Sequence, residues 1–159
     1  MRLWMAPHGL HVEPGRQADA PRLAALHAQG FYRGWPSGDF TTYIADQDTT
    51  PAYVACDAKR RIAGFLVLRL AADEAEVLTL VVDRKWQGKG VGAALMRAGI
   101  EDLAMSPARR LLLEVDADNE PALRLYSRLG FADTGERAAY YPRSDGSAAT
   151  ARIMRIDLR

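Results

Sequence analysis

Cysteine is almost absent: Cys56 is the only one in 159 residues. No intrachain disulfide can form, and no Cys/His spacing resembles a zinc motif. No metal is implied, and a reducing cytoplasm is the expected setting. Long apolar runs are also missing. Nowhere do 18 apolar residues follow one another. The first fifteen residues, broken by Arg2, Pro7, His8 and His11, lack the apolar stretch of a signal peptide. Neither export nor a membrane contact is expected. Charge of one sign is not in excess either, with 21 Lys+Arg against 20 Asp+Glu and a formal net charge of +1. That balance gives no global pull toward nucleic acid or an anionic surface. No repeat, low-complexity block or long linker divides the chain. With 48% hydrophobic residues it can bury a real core, so residues 1–159 are read as one domain.

Periodicity supplies the elements. Leu10 to Glu13 is a short strand. Asp19 to Gln29 carries Leu23, Leu26 and His27 at helical spacing, and Gly30 is placed to stop that helix. An aromatic loop, Phe31-Tyr-Arg-Gly-Trp-Pro, follows, and Ser37 is placed to cap a helix running to about Asp46. Ala52 to Cys56, Ile62 to Leu70 and Glu74 to Val82 read as strands, the last two joined by the short tip Ala-Ala-Asp. Gly90 to Met105 is a helix, Leu111 to Asp116 a strand, and Asn119 to Leu129 a helix stopped by Gly130. The tail from Phe131 supplies two further strands around a loop at Pro142 to Gly146. This order mixes hairpins with at least one βαβ crossover, implying an α/β (α+β) sheet that is partly antiparallel.

The most informative stretch is a strand ending Leu80-Val81-Val82, then Asp83 to Trp86, then Gln87-Gly88-Lys89-Gly90-Val91-Gly92-Ala93. Glycines at 88, 90 and 92 let the backbone approach a ligand and take positive φ, so that successive N–H groups and a helix N-terminus meet one anion. That is a pyrophosphate cradle, although three glycines alone fit a plain helix entry equally well. No G-x-x-x-x-G-K-[ST] is present, and the G-x-G-x-G spacing, five residues past the strand, departs from a dinucleotide fingerprint.

Downstream, Leu111, Leu113 and Val115 alternate with Leu112, Glu114 and Asp116. Glu114 interrupts an apolar strand, where desolvation would favour a general base, while a solvated face or a salt bridge explains it as readily. Tyr126 falls with Ala122, Leu125 and Leu129 on one helical stripe. Packing accounts for it, and a phenol can also give a proton to a departing thiolate. Asn119 is either a helix cap or an amide contact to a ligand.

Gln87-Gly88-Lys89-Gly90-Val91-Gly92 resembles the Q/R-x-x-G-x-G/A signature of the GCN5-related N-acetyltransferase superfamily. Leu113-Glu-Val-Asp-Ala-Asp-Asn-Glu-Pro-Ala-Leu-Arg-Leu-Tyr-Ser-Arg-Leu-Gly-Phe is similar to a stretch of the bacterial ribosomal-protein-alanine N-acetyltransferases. The resemblance covers nearly the whole chain, including Trp35-x-x-x-x-Phe40 and Tyr140-Tyr141-Pro142. It implies a mixed, mostly antiparallel sheet of about seven strands flanked by about four helices. It implies acetyl-CoA as co-substrate, held by Leu80, Val81 and Val82, by residues 87–93, and by Asn119 and Tyr126, with the N–H of Val82 polarising the thioester carbonyl. Glu114 coincides with the subfamily's base and Tyr126 with its acid. Trp35, Phe40, Tyr140 and Tyr141, with Tyr32, are candidates to line the acceptor groove, with core packing as the alternative.

The implied acceptor is a protein N-terminal α-amine, that of an alanine-starting small-subunit ribosomal protein. The partners are then acetyl-CoA and a peptide N-terminus, with no direct nucleic acid contact, in a monomer or weak homodimer. A small-amine acetyltransferase and a non-catalytic acyl-CoA sensor are the competing readings. Asp116 and Asp118 replace the usual Arg and Ser, and Ser-Ala-Ala-Thr-Ala-Arg follows Gly146 where Arg-Glu-Asp is common. These departures bear on the acceptor and leave Glu114, Tyr126 and the glycines untouched. Cys56 and the three histidines are read as structural.

Overall fold

The structure is a computed structural model that describes residues 2–31, 33–142, 145 and 148–159; at 138–142, 148 and 149 it describes the backbone. The strands are β1 (Trp4–Met5), β2 (His11–Pro14), β3 (Ala52–Cys56), β4 (Ile62–Ala71), β5 (Glu74–Val82), β6 (Arg110–Asp116), β7 (Ala132–Pro142) and β8 (Ala148–Asp157). The helices are α1 (Ala20–Gly30), α2 (Ser37–Ala45), α3 (Val91–Leu103) and α4 (Glu120–Arg128). Among the described residues no helix is long and apolar enough to cross a membrane.

All eight strands join one sheet in the order β1-β2-β3-β4-β5-β6-β8-β7. Every pairing is antiparallel except β5 with β6, which the crossover through α3 makes parallel. The expected mixed, mostly antiparallel sheet is therefore observed. β1 is an addition: two residues hold as a strand only because Trp4 and Met5 pair with Val12 and His11.

The two sheet faces carry two cores. Leu95, Met96 and Leu103 of α3, with Tyr126 of α4, pack with Leu66, Leu68, Leu111, Leu113 and Val115 on one face. On the other, Leu23 and Leu26 of α1 and Phe40 and Ile44 of α2 pack with Val54, Phe65, Val67 and Val81. Alternation along the strands sorts these sets. Gly99 lets α3 lie close to β4, since a Cβ there would sit 2.8 Å from Leu66 Cδ2.

Two helix boundaries differ from expectation. Gly30 is the last residue of α1, and the extended Phe31 ends the helix. Ser37 is the first helical residue of α2 rather than its cap; Pro36 occupies the cap position with φ −69 and no side-chain cap bond. Gly130 does stop α4, with φ +100.

Candidate functional site

The site is set by where β5 and β6 part. Their parallel pairing covers only Glu74↔Arg110, Ala75↔Leu111 and Glu76↔Leu112. Past that point β5 continues to Val82 and β6 to Asp116 without paired register. A bulge between Val67 and Leu68 of β4 inserts Leu78 into β5 at the start of the divergence.

The backbone exposed along this opening follows from ladder alternation. Asp83 N–H donates to Ala63 O at 2.8 Å, and the adjacent partners are Gly64↔Val82, Phe65↔Val81 and Leu66↔Leu80. Val82 and Leu80 therefore turn their main-chain groups away from β4, toward the opening. In agreement, the Val82 carbonyl accepts Gln87 Nε2 at 3.2 Å rather than a bond from β4.

Beyond β5 the chain makes a single turn, Arg84–Trp86, and enters α3. Asp83 anchors this turn: its carboxylate accepts Lys85 N–H at 3.2 Å and Arg22 at 2.8 Å. Gly88 and Gly90 take φ +77 and +82, a region in which a Cβ is costly, and Gly90 is the helix N-cap. Gly92 is helical and needs only closeness; a Cβ there would meet Leu125 Cδ2 at 3.4 Å and Val82 Cγ2 at 3.7 Å. The α3 entry, the end of β5 and α4 thus converge on one spot. The first intrahelical bond runs from Ala94 N–H to Gly90 O at 3.1 Å, so the amides of Val91, Gly92 and Ala93 precede the helical ladder. These donors and the positive helix end make an anion cradle that fits a pyrophosphate.

Lys89 is exposed and places Nζ 5.3 Å from the Trp86 ring centroid. Gln87 has turned its amide inward to brace the loop. Asn119 caps α4, its Oδ1 accepting Ala122 N–H at 3.3 Å.

Glu114 and Tyr126 stand on opposite faces of the sheet. Leu111, Leu113 and Val115 point to the α3/α4 core, so Glu114 points to the face that carries α1 and α2. It is not desolvated among leucines, as its sequence neighbours suggested. Its side chain is 31% exposed, and Arg137 of β7 grips both oxygens, Nε to Oε1 at 2.6 Å and Nη2 to Oε2 at 2.7 Å. Arg137 spans β8 to do so: Asp116 and Arg137 both register with the small Ala151.

Tyr126 lies against Phe131, ring centroids 5.7 Å apart, and burial pushes its phenol up to about 12. Tyr126 therefore keeps its proton at neutral pH. Moving that proton fully to a thiolate whose thiol has a pKa near 8.5 costs roughly 5 kcal/mol, so the geometry suits hydrogen-bond donation better than outright transfer.

On the α1/α2 face, Trp35 is half-buried and stacks on His27 at 4.4 Å. Phe40, a candidate to line the groove, is instead fully buried, edge-on to Phe65 at 5.4 Å. Its spacing from Trp35 reflects packing beneath that ring rather than exposure beside it. Tyr140 and Tyr141 lie in β7, and their side chains, with the whole of Tyr32, lie outside the described residues. Cys56 is buried, and its thiol is pushed up to about 11, first by burial and then by the charge of Glu13, which leaves it a poor nucleophile. Arg137, Arg22 and Asp83 went unrecognised in the sequence, since their partners are 23 and 61 residues away and no local pattern marks them.

The chain matches the acetyltransferase (GNAT) family over residues 20–131. It is 35% identical to the N-alpha-acetyltransferase RimI of Mycobacterium tuberculosis, covering 86% of this chain and 87% of that one. It is 36% identical to the mycothiol acetyltransferase of Clavibacter michiganensis over 84% of its length, but spans only 46% of that protein. The crystal structure of the ribosomal-protein-alanine N-acetyltransferase of Escherichia coli superposes with a TM-score of 0.83 at 26% identity, covering 94% of each chain. The diverging strands, the glycine turn and these matches agree, and the chain belongs to the acetyltransferase (GNAT) family.

Proposed function

We propose that this acetyltransferase moves the acetyl group of acetyl-CoA directly onto the α-amine of a protein N-terminus, with Glu114 as base and Tyr126 as the group that receives the leaving thiol. The observation that carries this reading is the placement of Glu114 and Tyr126 on opposite faces of one opening between β5 and β6. An acceptor arriving on the α1/α2 face and a thiol leaving toward the α3/α4 face would meet a thioester held between the strands. Acetyl-CoA supplies an activated acyl group, and everything else is done by the chain. The amides at the α3 entry hold the pyrophosphate. The amine forms a C–N bond to the carbonyl carbon, and the charge that grows on the oxygen falls to the Val82 N–H; the carbonyl then re-forms as the C–S bond breaks, its electron pair leaving with sulfur as a thiolate that accepts a hydrogen bond from the Tyr126 hydroxyl and takes its proton from solvent. Glu114 takes the proton that the new amide nitrogen must lose.

An α-amine suits so modest a base. With a pKa near 8, roughly a tenth of it is neutral at pH 7, against less than a thousandth of a lysine amine near 10.4. The similarity to a RimI enzyme and to the Escherichia coli ribosomal-protein-alanine acetyltransferase supports an N-terminal alanine of a ribosomal protein as the acceptor. The match to a mycothiol acetyltransferase favours a second reading, an acceptor that is not a peptide.

The test is thiol release from acetyl-CoA with alanine-starting peptides, the same peptides blocked at the α-amine, and a panel of small amines. Turnover on the free peptides alone supports the proposal. Turnover confined to small amines replaces it with the second reading.

A further inference from the structure

We propose that His11, Glu13 and Cys56 form a binding site for a thiophilic divalent cation of the zinc class, which staples β2 to β3 apart from the transfer chemistry. The three residues are far apart in sequence, which is why no zinc spacing is visible there, and the sheet brings them together. His11 and Glu13 alternate onto the same face of β2, and Cys56 is the register partner of His11 on β3. All three donor atoms lie within 4.8 Å of one another. Cys56 is fully buried and Glu13 is 4% exposed, so two of the three donors are held in place by packing on hydrogen-bonded strands.

The distances approach those a metal needs. With zinc bonds of about 2.3 Å to sulfur and 2.0–2.2 Å to nitrogen and oxygen, tetrahedral angles put S···N at roughly 3.5 Å and N···O at roughly 3.4 Å. Cys56 Sγ and His11 Nε2 are 3.5 Å apart, and His11 Nε2 and Glu13 Oε2 are 2.8 Å apart. The His11–Glu13 pair must open by about 0.6 Å, and the Cys56 sulfur and the Glu13 oxygen, which lie within 4.8 Å of each other, must settle at about 3.6 Å.

The second carboxylate oxygen is already occupied. Oε1 takes Arg60 Nε at 2.5 Å and Arg16 at 3.3 Å, which turns Oε2 toward His11. Such outer hydrogen bonds commonly orient a ligating carboxylate. Arg60 is in turn held by the buried Asp19 at 2.7 Å. His11 is 27% exposed at its side chain, while the open cavity of about 230 Å³ beside Glu13 is lined by Arg2 and Arg16 as well as Pro14 and Gly15. The partly exposed His11 ring is therefore the side from which a cation would enter. On binding, the Cys56 S–H bond breaks, its proton passes to solvent and the thiolate electron pair forms the metal–sulfur bond. Nothing is oxidised or reduced.

The full chain, stripped with chelator and dialysed, is titrated with cobalt(II) and followed by absorbance, then with zinc in competition with a chromophoric chelator. One equivalent of cobalt giving a near-ultraviolet thiolate charge-transfer band, displaced by zinc, is the expected result. Cys56→Ser should abolish the band, and His11→Ala, at a partly exposed position, should weaken zinc binding by at least about 100-fold, beyond a typical outer-shell loss. Zinc should raise the melting temperature of the parent chain and leave that of His11→Ala unchanged. Absence of the band, a band that survives Cys56→Ser, or equal zinc affinity in parent and His11→Ala overturns the site and leaves a hydrogen-bonded trio. None of these readings depends on acetyl transfer.

Discussion

Acidification between pH 6.5 and 5 should destabilise this protein through one side chain, His27. It is 1% exposed in α1, between the rings of Phe31 at 4.2 Å and Trp35 at 4.4 Å. Its Nδ1 accepts the Trp35 main-chain N–H at 3.1 Å, so the proton of the neutral ring sits on Nε2, which is buried and has no hydrogen-bond partner among the described residues. A second proton on Nδ1 would break the Trp35 bond and create a charge in an aromatic core. Burial accordingly holds the imidazole down at about 4 in the folded state, against 6.5 when exposed. A lowered histidine pKa means that the unfolded chain binds the extra proton first. The stability is complete above pH 6.5 and is lost as pH falls toward 4, by up to roughly 3 kcal/mol at about 1.4 kcal/mol per pH unit.

Urea unfolding at intervals from pH 7.5 to 5 measures that slope before most carboxylates titrate. His27→Asn offers an uncharged acceptor near the Nδ1 position. It should be less stable than the parent at pH 7 through lost ring packing, yet nearly flat across the same interval. Equal slopes in parent and variant, or a His27 imidazole titrating near 6.5 by NMR, would refute the reasoning.

Three further outcomes test the site and the backbone. Tyr126→Phe keeps the ring packing on Phe131 and removes the hydroxyl that would donate to the leaving thiolate, so kcat with acetyl-CoA should fall by about 10²–10³ with little change in melting temperature. Gly90→Ala forces a Cβ onto a φ of +82; it should cost roughly 1–2 kcal/mol and raise the KM for acetyl-CoA more than it lowers kcat, as steady-state kinetics would show. Ala72 sits at the β4–β5 turn with φ +57, so Ala72→Gly should stabilise by roughly 0.5–1 kcal/mol and raise the melting temperature by about 1–4 °C in calorimetry.

Local pattern carried much of the fold. Ala52–Cys56 and Glu74–Val82 emerge with their expected boundaries because each is a β-rich run closed by turn residues. The glycine turn was equally readable, since Gly88 and Gly90 are needed for their positive φ. What stayed hidden is what pairing decides. β1 is two residues long and exists through β2. The grip of Arg137 on Glu114 depends on the register of β6 and β7 against β8. At Glu114 the sequence leaves a desolvated base and a solvated, salt-bridged carboxylate both open, and pairing decides for the second: Leu111 and Leu113 turn inward, while Glu114 stays outside with Arg137. Phe40 shows the same limit in reverse: a helical period marks a buried stripe without saying whether its end meets the core or a groove.

One topological fact accounts for the arrangement. Only β5 and β6 run parallel, and a parallel neighbour requires a crossover, here α3. The crossover must begin where β5 ends, so a helix N-terminus with uncommitted amides necessarily lies at the mouth of the diverging strands. The same divergence leaves Leu80 and Val82 with main-chain groups turned into the opening. Because β5 and β6 share one sheet, side chains on their two faces stay separated across it, which keeps the carboxylate of Glu114 apart from the phenol of Tyr126. The fold thus places Glu114 and Tyr126 on opposite faces of the sheet, on either side of the opening between β5 and β6.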